Sequence, residues 1–422
     1  MTNGIPSDEV TRVLREDSED SEILFLGTEK GIYISFDQGS SFETLQLNLP
    51  VVPVYDIKIK NDELIVATHG RSFWILEGIN LLRQLRVGIN KDKPFLFKSS
   101  DKIRTVQQLG GGLSDINTES FGKRYSSKIF GEPATYIDKK LNSGEIIQVY
   151  LDAGQNPQEG LSIIYYVPEN FESELSISII DSSNHVIRIF NTENTKTFSL
   201  KPGLNRIVWD LKNEEIPELP DIPGGQSPFI AKETSILLIP GTYNIRLNVG
   251  DEYFYEQSFN FIQDPRSKVS LDDLVLQYDL QKQIQEKYLE IFHKVKWFRK
   301  IRDELRQVDV KQISQYKENN FQESLDLILL KLSEIENEIV PFKSYYQTPP
   351  VGIPVGIYGK YKELKGGVSG GDYRPTQQSY ELFEDLNLRL EEKFLEIDNI
   401  IKNDIFGIFK ILKYIDISDT TI

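Results

Sequence analysis

The stretch Ile23–Phe36, ILFLGTEKGIYISF, lies over Glu63–Leu76, ELIVATHGRSFWIL, at a constant shift of 40 residues. Thr28 falls on Thr68, Glu29 on His69, Tyr33 on Phe73 and Ile34 on Trp74. Upstream, EVTRVLRED (Glu9–Asp17) matches PVYDIKIKN (Pro53–Asn61), with a slightly shorter loop in the second copy. Each copy reads strand, loop, strand, tight turn, strand. A period near 40 with short alternating strands is the signature of propeller blades, roughly 40–45 residues each.

The second copy carries VATHGRSFWIL (Val66–Leu76), where His69, Arg71 and Ser72 surround Gly70. Such a set invites a catalytic or anion-binding reading. The first copy, however, has Glu29 where the second has His69, and a catalytic group is not expected to change identity between sister repeats. The stretch therefore reads as a hairpin turn, with glycine supplying the turn dihedrals and Phe73 and Trp74 packing on either side of the sheet. His69 and Arg71 become functional candidates only if this turn lines a central channel.

The loop SFDQGSSF (Ser35–Phe42) fits the pattern S-x-D-x-G-x-[ST]-[WF] of an Asp box, through Ser35, Asp37, Gly39, Ser41 and Phe42. The spacing predicts that Asp37 accepts backbone N–H groups of the turn, Gly39 takes a left-handed conformation and Phe42 plugs the hairpin. That is a structural device, and no catalytic residue is assigned to it.

With TNGIP, VLRED, LGTEKGIYISFDQG, LQLNLPVVPVYDI and THGRSFWIL in order, Thr2–Leu85 resembles the last two blades of BNR-repeat, sortilin-type propeller proteins often labelled glycosyl hydrolases. AGQNPQEGLSIIYYVP, GLNRIVWDLKNE, PGTYNIRLNVG and QDPRSK resemble that family's β-sandwich and the link that follows it. The resemblance implies an extracellular or periplasmic protein whose complete propeller holds a glycan or polypeptide ligand. Two blades, one of four strands and one of three, cannot close a ring. The chain thus reads as the C-terminal, non-catalytic portion of a longer protein. The alternative is part of a glycoside hydrolase whose paired carboxylates lie on blades outside this chain.

Composition bounds the rest. The 422 residues carry Lys+Arg 48 against Asp+Glu 64, a net charge of −16, which argues against a nucleic-acid surface. The absence of cysteine excludes disulfides and thiolate metal sites. No apolar run reaches the roughly 18 residues needed to span a membrane, and MTNGIPSDEV has no signal-peptide pattern. No cofactor or metal set emerges. His293, four residues before Trp297 on a helical stretch, has no second ligand nearby. His185 reads as an exposed turn residue and Trp209 as core.

The expected fold is mainly β plus α, in four segments. Residues 1–97 form the blades and 98–140 a Gly-rich connector. Residues 141–264 supply seven strands of an immunoglobulin-like sandwich, with a Pro/Gly-rich loop at Glu215–Glu233. Residues 265–422 form an antiparallel helical bundle on three apolar stripes, Leu274–Leu305, Phe321–Ile339 and Phe383–Ile401, with a long loop at 341–375.

Overall fold

The computed structural model of the chain describes residues 3–105, 123–126, 134–140, 146–150, 160–217, 219, 235–307, 321–340 and 356–405. It is a mixed fold of several sheets and a C-terminal cluster of helices, divided into Met1–Leu211 with Pro240–Asp264 and Lys212–Ile239 with Pro265–Ile422.

In the first unit, alternating apolar residues fold the first copy into an antiparallel sheet of β1 (Thr11–Glu16), β2 (Leu24–Thr28), β3 (Ile32–Ser35) and β4 (Glu43–Thr44). The second copy gives a three-stranded sheet of β5 (Val54–Lys60), β6 (Glu63–Thr68) and β7 (Phe73–Glu77). One face of each sheet meets the other. Val13, Phe25, Ile32 and Ile34 of the first pack with Val54, Ile57, Leu64 and Val66 of the second in one buried cluster. Gly27 sits at the closest approach: a Cβ there would lie 2.6 Å from a Val54 methyl and 2.7 Å from a Val13 methyl. A short helix, α1 (Asn80–Val87), follows the left-handed turn at Gly78.

The chain then enters two further sheets through β8 (Phe95–Leu96) and β9 (Lys102–Ile103). A small sheet of β10 (Lys123–Ser126), β11 (Ala134–Lys140) and β12 (Ile146–Tyr150) comes next. The remaining strands are β13 (Leu161–Val167), β14 (Leu175–Ile180), β15 (Val186–Phe190), β16 (Gly203–Trp209), β17 (Gly241–Val249) and β18 (Tyr253–Ile262). They form sheets of order β16-β13-β8 and β15-β14-β17-β18-β9, with β9 parallel to β18. Trp209 of one sheet meets Phe259 of the other edge to face at 5.9 Å, and both are buried.

Two sequence expectations change here. Residues 98–140 are not a plain connector, because β9, β10 and β11 lie within them. β9 and β10, of two and four residues, are too short to show periodicity, and β11 (ATYIDKK) ends in a charged run that hides its alternation. Of the seven expected sandwich strands, β12 pairs with β11, while β8 and β9 join the two larger sheets. The GGGLSD run and most of Glu215–Glu233 lie outside the described residues.

In the second unit, Ser270 caps α2 (Leu271–Arg306) by accepting the Asp273 N–H at 3.1 Å, with Asp272 and Asp273 in the first turn. Also present are α3 (Phe321–Ile339), α4 (Ile357–Ser369) and α5 (Gln377–Ile400), the last capped by Thr376. The stripes face one another: Ile284, Tyr288, Ile291 and Phe298 of α2 share a core with Ile335 and Ile339 of α3 and Phe383, Leu386 and Phe394 of α5. Helix α4, which falls in the expected loop 341–375, contributes Tyr358, Tyr361, Leu364 and Val368 to the same core. Its apolar residues follow helical spacing, but the glycines around them read as loop. No helix among the described residues is long and apolar enough to cross a membrane.

The segment after β16 belongs to this helical unit. Leu219 joins its core, Asn213 donates to Gln285 Oε1 at 2.8 Å, and Lys365 Nζ donates to the Ser235 carbonyl at 2.8 Å. Within the helices, the fully buried Glu336 carboxylate accepts from Arg299 at 2.6 Å and from Arg302.

Candidate functional site

The two copies build the same local device at one end of their sheets. Between β1 and β2 the register passes from Thr11↔Thr28 to Val13↔Gly27, leaving Arg12 as the extra residue of a bulge. Between β5 and β6 it passes from Val54↔Thr68 to Asp56↔Ala67, leaving Tyr55 in that position. A bulge re-aims the side chain it frees. Thr28 N–H and Oγ1 both donate to the Gly31 carbonyl, at 2.9 and 3.1 Å. Thr68 N–H and Oγ1 donate to the Ser72 carbonyl, at 3.1 and 2.7 Å. Glu29 N–H reaches the Val10 carbonyl and His69 N–H the Pro53 carbonyl, each at 2.9 Å. Glu29 and His69 are therefore equivalent.

The copies differ in two small ways from the sequence alignment. Val10 corresponds to Pro53, a shift of 53 − 10 = 43, where the sequence match set Glu9 on Pro53. Beyond the turn, Gly27 pairs with Ile32 but Ala67 pairs with Phe73, so the second turn is one residue longer. Gly70 and Ser72 both take positive φ, +86° and +62°. The expected packing of Phe73 and Trp74 on either side of the sheet holds for one of them: Trp74, like Leu76, packs on the shared core, while Phe73 is 73% exposed.

The freed side chains meet. Arg12 pairs with Glu29, its guanidinium lies 5.3 Å from the Tyr55 ring centre, and Tyr55 lies 5.1 Å from the His69 ring. Glu29, Arg12, Tyr55 and His69 thus form one continuous row across the two copies, with Tyr55 about half exposed at 49%. In the first turn Lys30 bonds Asp8 at 2.7 Å and approaches Glu9 at 3.5 Å. The hydrogen bond to Lys30 holds the Asp8 carboxyl below the usual range. Arg71 has no ion-pair partner among the described residues, while its carbonyl accepts the Trp74 indole N–H at 3.0 Å. Of this row the sequence singled out His69 alone, together with Arg71 nearby. Arg12 and Tyr55 are marked only by the bulge, which depends on pairing.

The loop Ser35–Phe42 closes on itself at the other end of the first sheet. Asp37 accepts from Ser41 N–H at 2.8 Å, Ser41 Oγ at 2.6 Å and Ser35 Oγ at 2.8 Å. Gly39 has φ +82°, and Phe42 is buried. The Ser41 hydroxyl, then the Ser41 N–H, pull the Asp37 carboxyl below its ordinary range. These bonds are internal to the loop and engage both carboxylate oxygens.

A charged cluster at that same end escaped the sequence reading. Arg83 of α1 bonds the buried Asp17 at 2.7 and 2.8 Å, with Glu19 at 3.1 Å and Asp62 at 3.6 Å. Burial pushes the Asp62 carboxyl up, opposed by hydrogen bonds from Ser100 and the Asn80 N–H. Asp17 belongs to the first copy and Asp62 to the second, so one arginine ties both to α1.

Elsewhere Trp209 is buried, His185 is exposed beside Asp181, and the exposed His293 rests on Phe292. Among the described residues no group of three or more His, Asp or Glu could hold a metal ion. Compared with known proteins, the chain matches no family model and no curated protein.

Proposed function

We propose that this chain is a ligand-binding, non-catalytic portion of a BNR-repeat, sortilin-type propeller protein, acting outside the cytoplasm. In this reading the first two sheets are neighbouring blades with an Asp box at Ser35–Phe42. The two larger sheets are read as an immunoglobulin-like sandwich that follows the blades. The observation that carries the reading is the row Glu29–Arg12–Tyr55–His69, assembled from equivalent bulge and turn positions of two repeats. Each repeat sends its freed side chains to the same rim, and the rim they make is half exposed and mixes rings with charge. Such a surface suits recognition of a polar glycan or polypeptide. Two features support further repeats beside these. The edge of β7 has no strand partner among the described residues, and its face carries the exposed Phe73 and Ile75.

The test is a glycan array and a peptide array probed with the full chain and with Tyr55→Ala/His69→Ala. A ligand bound by the parent should lose about tenfold or more in the variant, as for a residue central to an interface. Equal binding by both would remove the rim from the function.

A further inference from the structure

Resting on that binding reading, we propose that the second turn is a carboxylate-recognition site for an acidic oligosaccharide, with Arg71 as the cation and Tyr55 and His69 holding the sugar hydroxyls. The first copy supplies the template. There the bulge cation Arg12 is met by the turn carboxylate Glu29, and Lys30 by Asp8 and Glu9. That rim satisfies its own charges. In the second copy the same positions change character together. Tyr55 replaces the bulge cation, His69 replaces the turn carboxylate, and Gly70 replaces Lys30. The one cation left, Arg71, has no acid partner among the described residues, in a chain of net charge −16. A carboxylate that the first copy provides from within is thus lacking in the second, beside a guanidinium suited to take one bidentately.

The rest of the turn favours a sugar over a peptide. Tyr55 offers a phenolic hydroxyl and His69 two ring nitrogens, on rings that restrain each other at 5.1 Å. These are hydroxyl-matching groups on side chains with few rotors, so little freedom is lost on binding. Ser72 is held left-handed by the Thr68 bonds, which fixes the turn that carries Arg71.

The experiment is calorimetric titration of the full chain with oligomers of galacturonate, glucuronate and mannuronate, their neutral hexose counterparts, and a poly-glutamate peptide. One uronate series should bind at least about tenfold tighter than its neutral counterpart, the order expected for one charge-assisted contact. Arg71→Gln should abolish that preference and Arg71→Lys should restore part of it. Lys30→Gln, whose partners are internal to the first rim, should leave it unchanged. Since the Arg71 side chain has no ion-pair partner among the described residues, its variants should fold, and matched melting curves check this. Neutral and acidic sugars bound equally, or undiminished uronate binding by Arg71→Gln, would overturn the carboxylate site while the binding reading stands. Preference for poly-glutamate would replace the sugar by an acidic peptide. If no member of either array and no titrant binds, both readings fall.

Discussion

The two copies of the repeat share a backbone device and differ in what they do with it. The first has four strands, a glycine at its closest contact, a short turn and a rim whose charges are paired internally. The second has three strands, an alanine at the matching place, a turn one residue longer and, among the described residues, an arginine with no ion-pair partner. The backbone hydrogen bonds at Thr28 and Thr68 are equivalent, although they close turns of different length, so the scaffold does not dictate the rim. A repeat can hold its shape while the charges at its rim differ from one copy to the next.

The largest effect should come where both copies depend on one residue. Arg83→Ala strands the buried Asp17 carboxylate, and removing one partner of a buried pair costs about 3–5 kcal/mol. Urea unfolding measures it; a loss below about 1 kcal/mol would mean that α1 does not tie the copies together. Next is the contact between the sheets. Gly27→Ala should cost about 1–3 kcal/mol by overpacking against Val13 and Val54. The matched change Ala67→Gly should cost only about 0.5–1 kcal/mol of backbone entropy. Equal losses would show that the two positions are not distinguished by packing.

The pH dependence separates the two carboxylates by sign. The folded Asp37 is a stronger acid than an unfolded aspartate, so its contribution is present above the unfolded value, about 3.9, and is lost as pH falls through its own lower value. Asp62 is a weaker acid when folded. Its contribution is therefore complete below the unfolded value and is lost as pH rises through the higher folded one. Urea midpoints taken from about pH 3 to pH 7 should show Asp37→Asn falling behind the parent as pH rises. Asp62→Asn should gain on the parent over the same interval. Parallel curves for the two variants would contradict both assignments.

The smallest effect tests the longer turn. Ser72 holds φ +62°, a conformation that costs a side-chain-bearing residue about 1–2 kcal/mol and glycine nothing. Allowing for the entropy of the added glycine, Ser72→Gly should stabilise by up to about 1 kcal/mol. It should also weaken ligand binding if a fixed turn is what presents Arg71.

Much of this was legible in the sequence, for reasons the residues explain. The shift of 40 placed β2 on β6 and Glu29 on His69, because strand alternation and the Thr-containing turns are local signals. The stripes of α2, α3 and α5 were visible in spacings of three and four. Arg12 and Tyr55 were not, since a bulge exists only relative to a partner strand. Nor were β8 and β9, each two residues long and dependent on strands far away in sequence. Helix α4 was hidden by glycines that tertiary packing overrides, with Tyr358 and Tyr361 buried against Tyr288. The Arg83 cluster draws on residues 17, 62 and 83, a grouping that only the fold assembles.

The stretch Lys212–Ile239 leaves the sheets and returns to them after lending Leu219 to the helical core and the Ser235 carbonyl to Lys365. During synthesis this excursion emerges before any helix that it will pack with. The second unit therefore cannot mature until the last helices arrive. Cutting the chain at Pro265 would not release a self-sufficient helical piece, for it would lack a part of its own interior that is encoded earlier in the gene.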